Sequence, residues 1–176
     1  SYDDIVNDPK NSITFDNEVH RHILSQIPMY GQDARLVMGK DGQPLLVTFT
    51  EKILVTLLTK LSNFIPQAGI WMNTLRPEWN DANNALVGYG ASMVTLYYMR
   101  RFVSFLIQLY GKQNATYAIS QEVVMFLRNV LATMVAHLPE DANQPITFTA
   151  HSRRTFTDQM GRAGEQYRNA VYKGHS

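Results

Sequence analysis

Apolar residues recur at helical spacing along most of this chain. Between Asn11 and Gly31, Val19, Ile23 and Ile27 stand four apart, which predicts a short helix stopped by Pro28. From Thr50 the period is clearer. Leu54, Leu57, Leu58, Leu61 and Ile65 repeat every three or four residues, with Thr50 as the N-cap and Pro66 as the stop. A longer apolar run from Ala85 to Tyr110 ends at Gly111. Its polar residues Arg100, Ser104 and Gln108 form one narrow stripe, so this helix is expected to be buried on most sides. Next, Val123, Leu127, Val130, Leu131, Met134 and Leu138 share a face, with Ser120 as cap and Pro139 as stop. The last helix, Ser152 to Tyr172, sets Phe156, Met160, Ala163, Tyr167 and Val171 along one side and charges along the other. One place breaks the helical period: "ARLVM" and "PLLVTF" flank "GKDGQ", an Asp-Gly turn between two short apolar runs, which predicts a β-hairpin. The stretch "PQAGIWMNTLRPEWNDANN" reads as loop from its Gly, Pro and Asn content.

The fold class that follows is mainly α: an antiparallel helical array with a small β-hairpin near the N-terminal third. At 176 residues and 45% hydrophobic content, residues 1–176 make one domain by size. The Ala85 to Tyr110 helix strains that picture, because a domain this small has few elements to surround a helix that is apolar nearly all round. That helix and the absence of an initial Met lead us to expect a fragment of a larger protein, whose remaining domains supply the missing neighbours. Charge narrows the partners. Lys and Arg number 16 against 15 Asp and Glu, so no broad basic footprint marks a nucleic-acid binder. The run Ala85 to Met99 is too short to span a bilayer before Arg100 and Arg101, and Gly88, Gly90, Ser92 and Thr95 interrupt it, so no membrane role is expected. The N-terminus lacks a signal-peptide layout, and nothing in the chain assigns a compartment. With no cysteine there is no thiolate nucleophile and no cysteine-built metal site.

The chemistry concentrates in "LRPEWNDANNALVGYG", Leu75 to Gly90. Pro77 biases Arg76 towards extended backbone, and Asp81 or Asn83 is placed to cap the long helix that follows. On that reading Trp79 packs as a staple and Arg76 pairs with Glu78 at the surface. A second reading uses the same residues as a sugar site. Cleaving a glycosidic bond needs a carboxylic acid to protonate the leaving oxygen, and an apolar neighbour such as Trp79 raises that acid's pKa by disfavouring its charged form. Glu78 is the candidate acid. Sugar rings offer hydroxyls around an apolar face, which suits Arg76, Asn80 and Asp81 for the rim and Trp79 and Trp71 for the plane.

The motif "PEWNDANNALVG" resembles the "DWNDGMN" signature of the cellobiose phosphorylase group, inverting carbohydrate enzymes built on a six-hairpin α/α toroid. The resemblance implies that Glu78 occupies the general acid's position, that Trp79, Asn80 and Asp81 match directly, and that Asn84 falls on the final Asn of the signature. It also implies that the following helix is an inner helix of a partial toroid, that the partner is a carbohydrate, and that no cofactor is needed beyond inorganic phosphate as a co-substrate. Glu stands where the family has Asp, Ala82 where it has Gly, and Asn83 where it has Met. A toroid needs about a dozen helices and this chain supplies four or five, which again implies a fragment. An inverting hydrolase needs a second carboxylate as base, whereas a phosphorylase uses phosphate. Asp33, Glu51, Glu122 and Asp158 are available, and their spacing selects none.

The alternative class is a non-catalytic helical interaction domain, whose apolar helix docks a partner domain. Other constellations are thinner. "HRH", His20 and His22, lacks a third ligand, so no metal site is expected. Tyr89, Tyr97, Tyr98, Phe102 and Phe105 are spaced for core packing rather than a sugar-stacking wall. His151, Arg153 and Arg154 in "HSRRTF" read as a solvated helix entrance rather than an anion site.

Overall fold

The computed structural model describes residues 1–12, 14–39, 41–73, 89–139, 141 and 143–172. Among them the chain is mainly helical, with one small antiparallel sheet. The helices are α1 (Tyr2–Asn7), α2 (Asn17–Tyr30), α3 (Phe49–Leu61), α4 (Met93–Tyr110), α5 (Gln121–Val135) and α6 (Ala150–Tyr172), and a 3-10 turn covers Gly31–Arg35.

Local chemistry accounts for the helix ends. The Asp16 carboxylate accepts from the backbone N–H groups of Glu18 and Val19 and so opens α2. That helix runs through Pro28 to Tyr30, two residues past the expected stop. A proline in the last turn forfeits one hydrogen bond without ending the helix, and Gly31, at φ 57°, turns the chain instead. Helix α3 is capped by Thr48, whose hydroxyl accepts from the Glu51 N–H, rather than by Thr50. The Thr50 hydroxyl instead accepts from the Tyr110 hydroxyl at 3.1 Å.

Both expectations about β structure change. The Asp-Gly turn forms, with Gly39 N–H donating to Gln43 O and Leu45 N–H to Val37 O, yet its flanks give a single bridge, Met38 to Pro44, and no strand. The sheet lies where the sequence read as loop and helix. It comprises β1 (Phe64–Ile65), β2 (Gly69–Asn73) and β3 (Tyr89–Ser92) in the order β1-β2-β3, all antiparallel. Gly69 is required there. At φ 136° a Cβ would sit 2.8 Å from Ser92 O on the neighbouring strand. Gly90, expected inside the long helix, also lies in a strand.

The core joins α3, α5 and α6. Leu58, Val123, Phe126, Val130, Phe156, Met160 and Ala163 form one buried cluster, with Phe64, Phe148 and Tyr167 packed against it. The ring of Tyr167 stacks on Phe126 at 4.9 Å, and Phe64 meets Phe156 edge-on at 5.8 Å. The face of α6 is the expected one. That of α5 is rotated: Val123, Phe126, Val130 and Thr133 are buried, while Leu127, Leu131 and Leu138 are exposed. A carboxylate from α3 ties the layers together. Glu51, 7% exposed, accepts from the Ser120 backbone N–H at 2.9 Å and its hydroxyl at 2.6 Å, at the start of α5. An acid there also suits the positive end of the helix dipole.

The long helix departs most from expectation. Helix α4 begins at Met93, not near Ala85, and Ser92 caps it by accepting from the Thr95 N–H at 3.1 Å. The capping role assigned to Asp81 or Asn83 therefore passes to Ser92. Nor is α4 enclosed. Only Leu106 of its described residues is buried, and Met93, Val94, Tyr97, Tyr98 (65%), Phe105 and Ile107 (66%) face outwards. Its main neighbour among the described residues is β2, and of the aromatic residues expected in a core Tyr97, Tyr98 and Phe105 are exposed while Phe102 is half-buried.

Candidate functional site

Of the predicted site residues, Trp71 alone falls among the described residues. Arg76, Glu78, Trp79, Asn80, Asp81 and Asn84 lie outside them. Their attachment points are defined, because residues 74–88 leave β2 after Asn73 and rejoin the sheet at Tyr89, and these two residues pair across the strands. Both ends of the motif-bearing segment are thus held side by side at one end of the sheet.

Strand alternation sorts the sheet into two faces. The pairs Ile70 with Ser92 and Met72 with Gly90 share one face, and Ile70 and Met72 there are buried. The Thr95 hydroxyl from α4 donates to Met72 Sδ at 3.3 Å on that side. Trp71 with Ala91 and Asn73 with Tyr89 share the other. Here a cleft of about 370 Å³ opens, lined by Trp71 and Asn73 from β2, by Thr59, Lys60 and Asn63 at the end of α3, and by Arg168 from α6, with the N-terminal segment closing it.

Hydrogen bonds fix much of this lining. The Asn63 carbonyl accepts from the Trp71 backbone N–H at 2.7 Å, and the Asn63 side-chain amide donates to Thr59 O at 2.8 Å. The Asn73 amide donates to Pro9 O at 3.0 Å and to the Ser12 hydroxyl at 2.9 Å, which ties the N-terminal segment to the mouth of the sheet. Beside it the Lys10 ammonium lies 5.3 Å from the centre of the Tyr89 ring. The Trp71 indole N–H, by contrast, is shielded from solvent and has no hydrogen-bond partner among the described residues.

No known family's sequence profile matches the chain, and no curated protein does.

The candidate bases lie elsewhere. Glu51 holds the start of α5, and Asp158 accepts from the Tyr2 hydroxyl at 2.7 Å and from Arg154 at 2.8 Å. Asp33 is exposed in the 3-10 turn, and Glu122 is half-buried in the first turn of α5. None of the four lines the Trp71 cleft. In "HSRRTF", Arg154 is paired with Asp158 and Arg153 donates to Gln67 Oε1. His20 and His22 are exposed on α2, and among the described residues no group of three metal-ligating side chains is assembled.

Sequence reasoning missed Lys60, Asn63, Asn73 and Arg168. Lys60 and Arg168 read as the solvated faces of amphipathic helices, and Asn73 as one polar residue in a loop. What makes them neighbours is the docking of α6 against the end of α3. Gly164 permits that approach, since a Cβ there would meet Ser62 Oγ at 2.8 Å and Arg168 Nη1 at 3.5 Å.

Proposed function

We propose that this chain is a segment of a carbohydrate-active enzyme, an inverting glycoside hydrolase or a glycoside phosphorylase, that supplies the general-acid loop and an inner helix of a sugar cleft. The observation that carries the proposal is the motif Pro77-Glu78-Trp79-Asn80-Asp81-Ala82-Asn83-Asn84, with its resemblance to the cellobiose phosphorylase group. Glu78 protonates the leaving glycosidic oxygen, with Trp79 raising its pKa by keeping water away. Arg76, Asn80, Asp81 and Asn84 hold hydroxyls, and Trp79 and Trp71 offer aromatic planes to the sugar. Two structural features support this reading. The segment that carries the motif is flanked by Asn73 and Tyr89, which pair across β2 and β3 and offer a firm mount for a catalytic loop. The same sheet face carries Trp71 into a cleft lined with amides and hydroxyls.

The exposed apolar face of α4 favours a second reading, a non-catalytic helical interaction domain that docks a partner through Tyr97, Tyr98, Phe105 and Ile107. In the enzyme reading that face packs against further helices of a partial α/α toroid, supplied by the remaining domains of the parent chain.

Release of reducing sugar and of sugar phosphate from a glycoside panel, with and without inorganic phosphate, tests the choice. The longest chain that contains this segment is compared with its Glu78→Gln variant. Loss of activity in a folded variant supports Glu78 as the acid, and dependence on phosphate names phosphorolysis. An inert parent, or a fully active Glu78→Gln variant on natural substrates, removes the enzyme reading.

A further inference from the structure

The Trp71 cleft carries a charge pattern that recognition of neutral hydroxyls does not need. Two cations line it, Lys60 and Arg168, and among the described lining residues there is no carboxylate. Neither cation has an ion pair or hydrogen bond within the described residues, although Arg154 and Arg162 on the same helix as Arg168 are both paired with acids. Arg168 is moreover half-buried. A guanidinium carries five N–H donors, and withdrawing it partly from water without giving it an acceptor is unfavourable. The Trp71 indole N–H also has no partner among the described residues, but it is shielded from solvent and does not open on the cleft. Two cationic donors without acceptors among the described residues therefore line one cavity, whose volume falls in the range of small-ligand sites, about 300–1,000 Å³.

We propose that this cleft is an oxyanion site, in which Arg168 and Lys60 bind the carboxylate or phosphate of an acidic ligand. Arg168 is suited to take two oxygens of the anion in parallel, since its planar fork matches carboxylate and phosphate geometry. Lys60, exposed on the last turn of α3, contributes a mobile point charge at the rim. Asn63, whose amide nitrogen is engaged by Thr59 O, keeps its side-chain oxygen as an acceptor for a neighbouring hydroxyl. The Trp71 ring supplies the apolar wall. The anion site stands on the cleft's own charges. That its anion is carried on a sugar rests on the function proposed above.

The test follows the two indole N–H signals of the chain, those of Trp71 and Trp79, in nitrogen–proton correlation spectra, with the Trp71→Phe variant identifying the former. Glucuronate, inorganic phosphate and glucose are titrated at constant ionic strength set by sodium chloride. The expected result is a saturable shift of the Trp71 signal with an anion and none with glucose at equal concentration. Arg168→Gln and Lys60→Gln should each weaken that binding, the former about tenfold or more, as loss of a charge-assisted hydrogen bond requires. Lys52→Gln, an exposed change on the same helix outside the cleft, should leave it unchanged. Preference for glucuronate assigns the acid of a sugar, and preference for phosphate assigns the free ion; either supports the site. Absence of a saturable response to both anions, equal binding of glucose, or a titration that Lys60→Gln and Arg168→Gln leave unaltered overturns it. Anion binding in a chain whose parent cleaves no glycoside would retain this site and discard only the enzyme reading.

Discussion

Replacing Trp71 by Phe gives a sharp test of the cleft because two effects of similar size oppose each other. The indole N–H is shielded from water with no partner among the described residues, and a buried donor left unsatisfied costs about 1–3 kcal/mol. Phenylalanine removes that donor. It also removes three ring atoms, worth about 0.8 kcal/mol each if fully buried and about half that for a half-buried ring. The loss of about 1 kcal/mol and the gain of about 1–3 kcal/mol leave Trp71→Phe close to wild type, between neutral and about 2 kcal/mol more stable. Trp71→Ala keeps the gain but loses the whole ring and opens a void, so it should be destabilised by about 1–3 kcal/mol. Urea unfolding followed by circular dichroism at a common slope reads both differences. A Trp71→Phe variant destabilised by more than about 2 kcal/mol would refute the reasoning, since that loss requires a good hydrogen bond at Nε1.

Three further outcomes are expected. Glu51→Ala should cost about 2–3 kcal/mol, because it strands the Ser120 N–H and hydroxyl at the start of α5; a double-mutant cycle with Ser120→Ala should return a coupling of about 1 kcal/mol, and additivity would show that the pair does not act as a cap. Gly161→Ala in α6 should destabilise by about 1–2 kcal/mol despite alanine's better helix propensity, as a Cβ there would sit 2.0 Å from the Tyr2 ring; a rise in melting temperature would show that Tyr2 does not pack there. Burial raises the pKa of the Tyr2 phenol well above its ordinary value of about 10, and the hydrogen bond to Asp158 and that carboxylate's charge add to the shift. Since the folded value exceeds the unfolded one, this contribution to stability is complete below pH about 10 and is lost as pH rises beyond it. Wild type should therefore lose stability more steeply than Tyr2→Phe between pH about 10 and 11, and parallel urea midpoints across that interval would count against the assignment.

The helices were legible wherever an apolar stripe was long enough to show its period. Phe156, Met160 and Ala163 mark the buried side of α6 in sequence and in space, because that helix has one apolar stripe and no other way to bury it. Helix α5 has two overlapping stripes, and periodicity could not say that Val123, Phe126 and Val130 face inwards while Leu127 and Leu131 do not. That choice belongs to its partners α3 and α6. The strands were illegible for a different reason. Segments of two to five residues carry no readable alternation, and Gly69–Asn73 becomes a strand because Tyr89–Ser92 pairs with it.

Candidate chemistry divides along the same line. The motif from Pro77 to Asn84, the apolar character of α4 and the near-neutral charge are written in the order of the residues, and local pattern was enough to find them. The gathering of Lys60, Asn63, Trp71, Asn73 and Arg168 around one cleft is not. These positions are spread from Lys60 to Arg168 along the chain, and each is unremarkable in its own helix or loop. Only the packing of α6 on the end of α3, and the pairing of two strands across the motif, brings them together. A pattern along one element is set by that element's own backbone period, whereas a site built between elements is set by which faces they bury against one another.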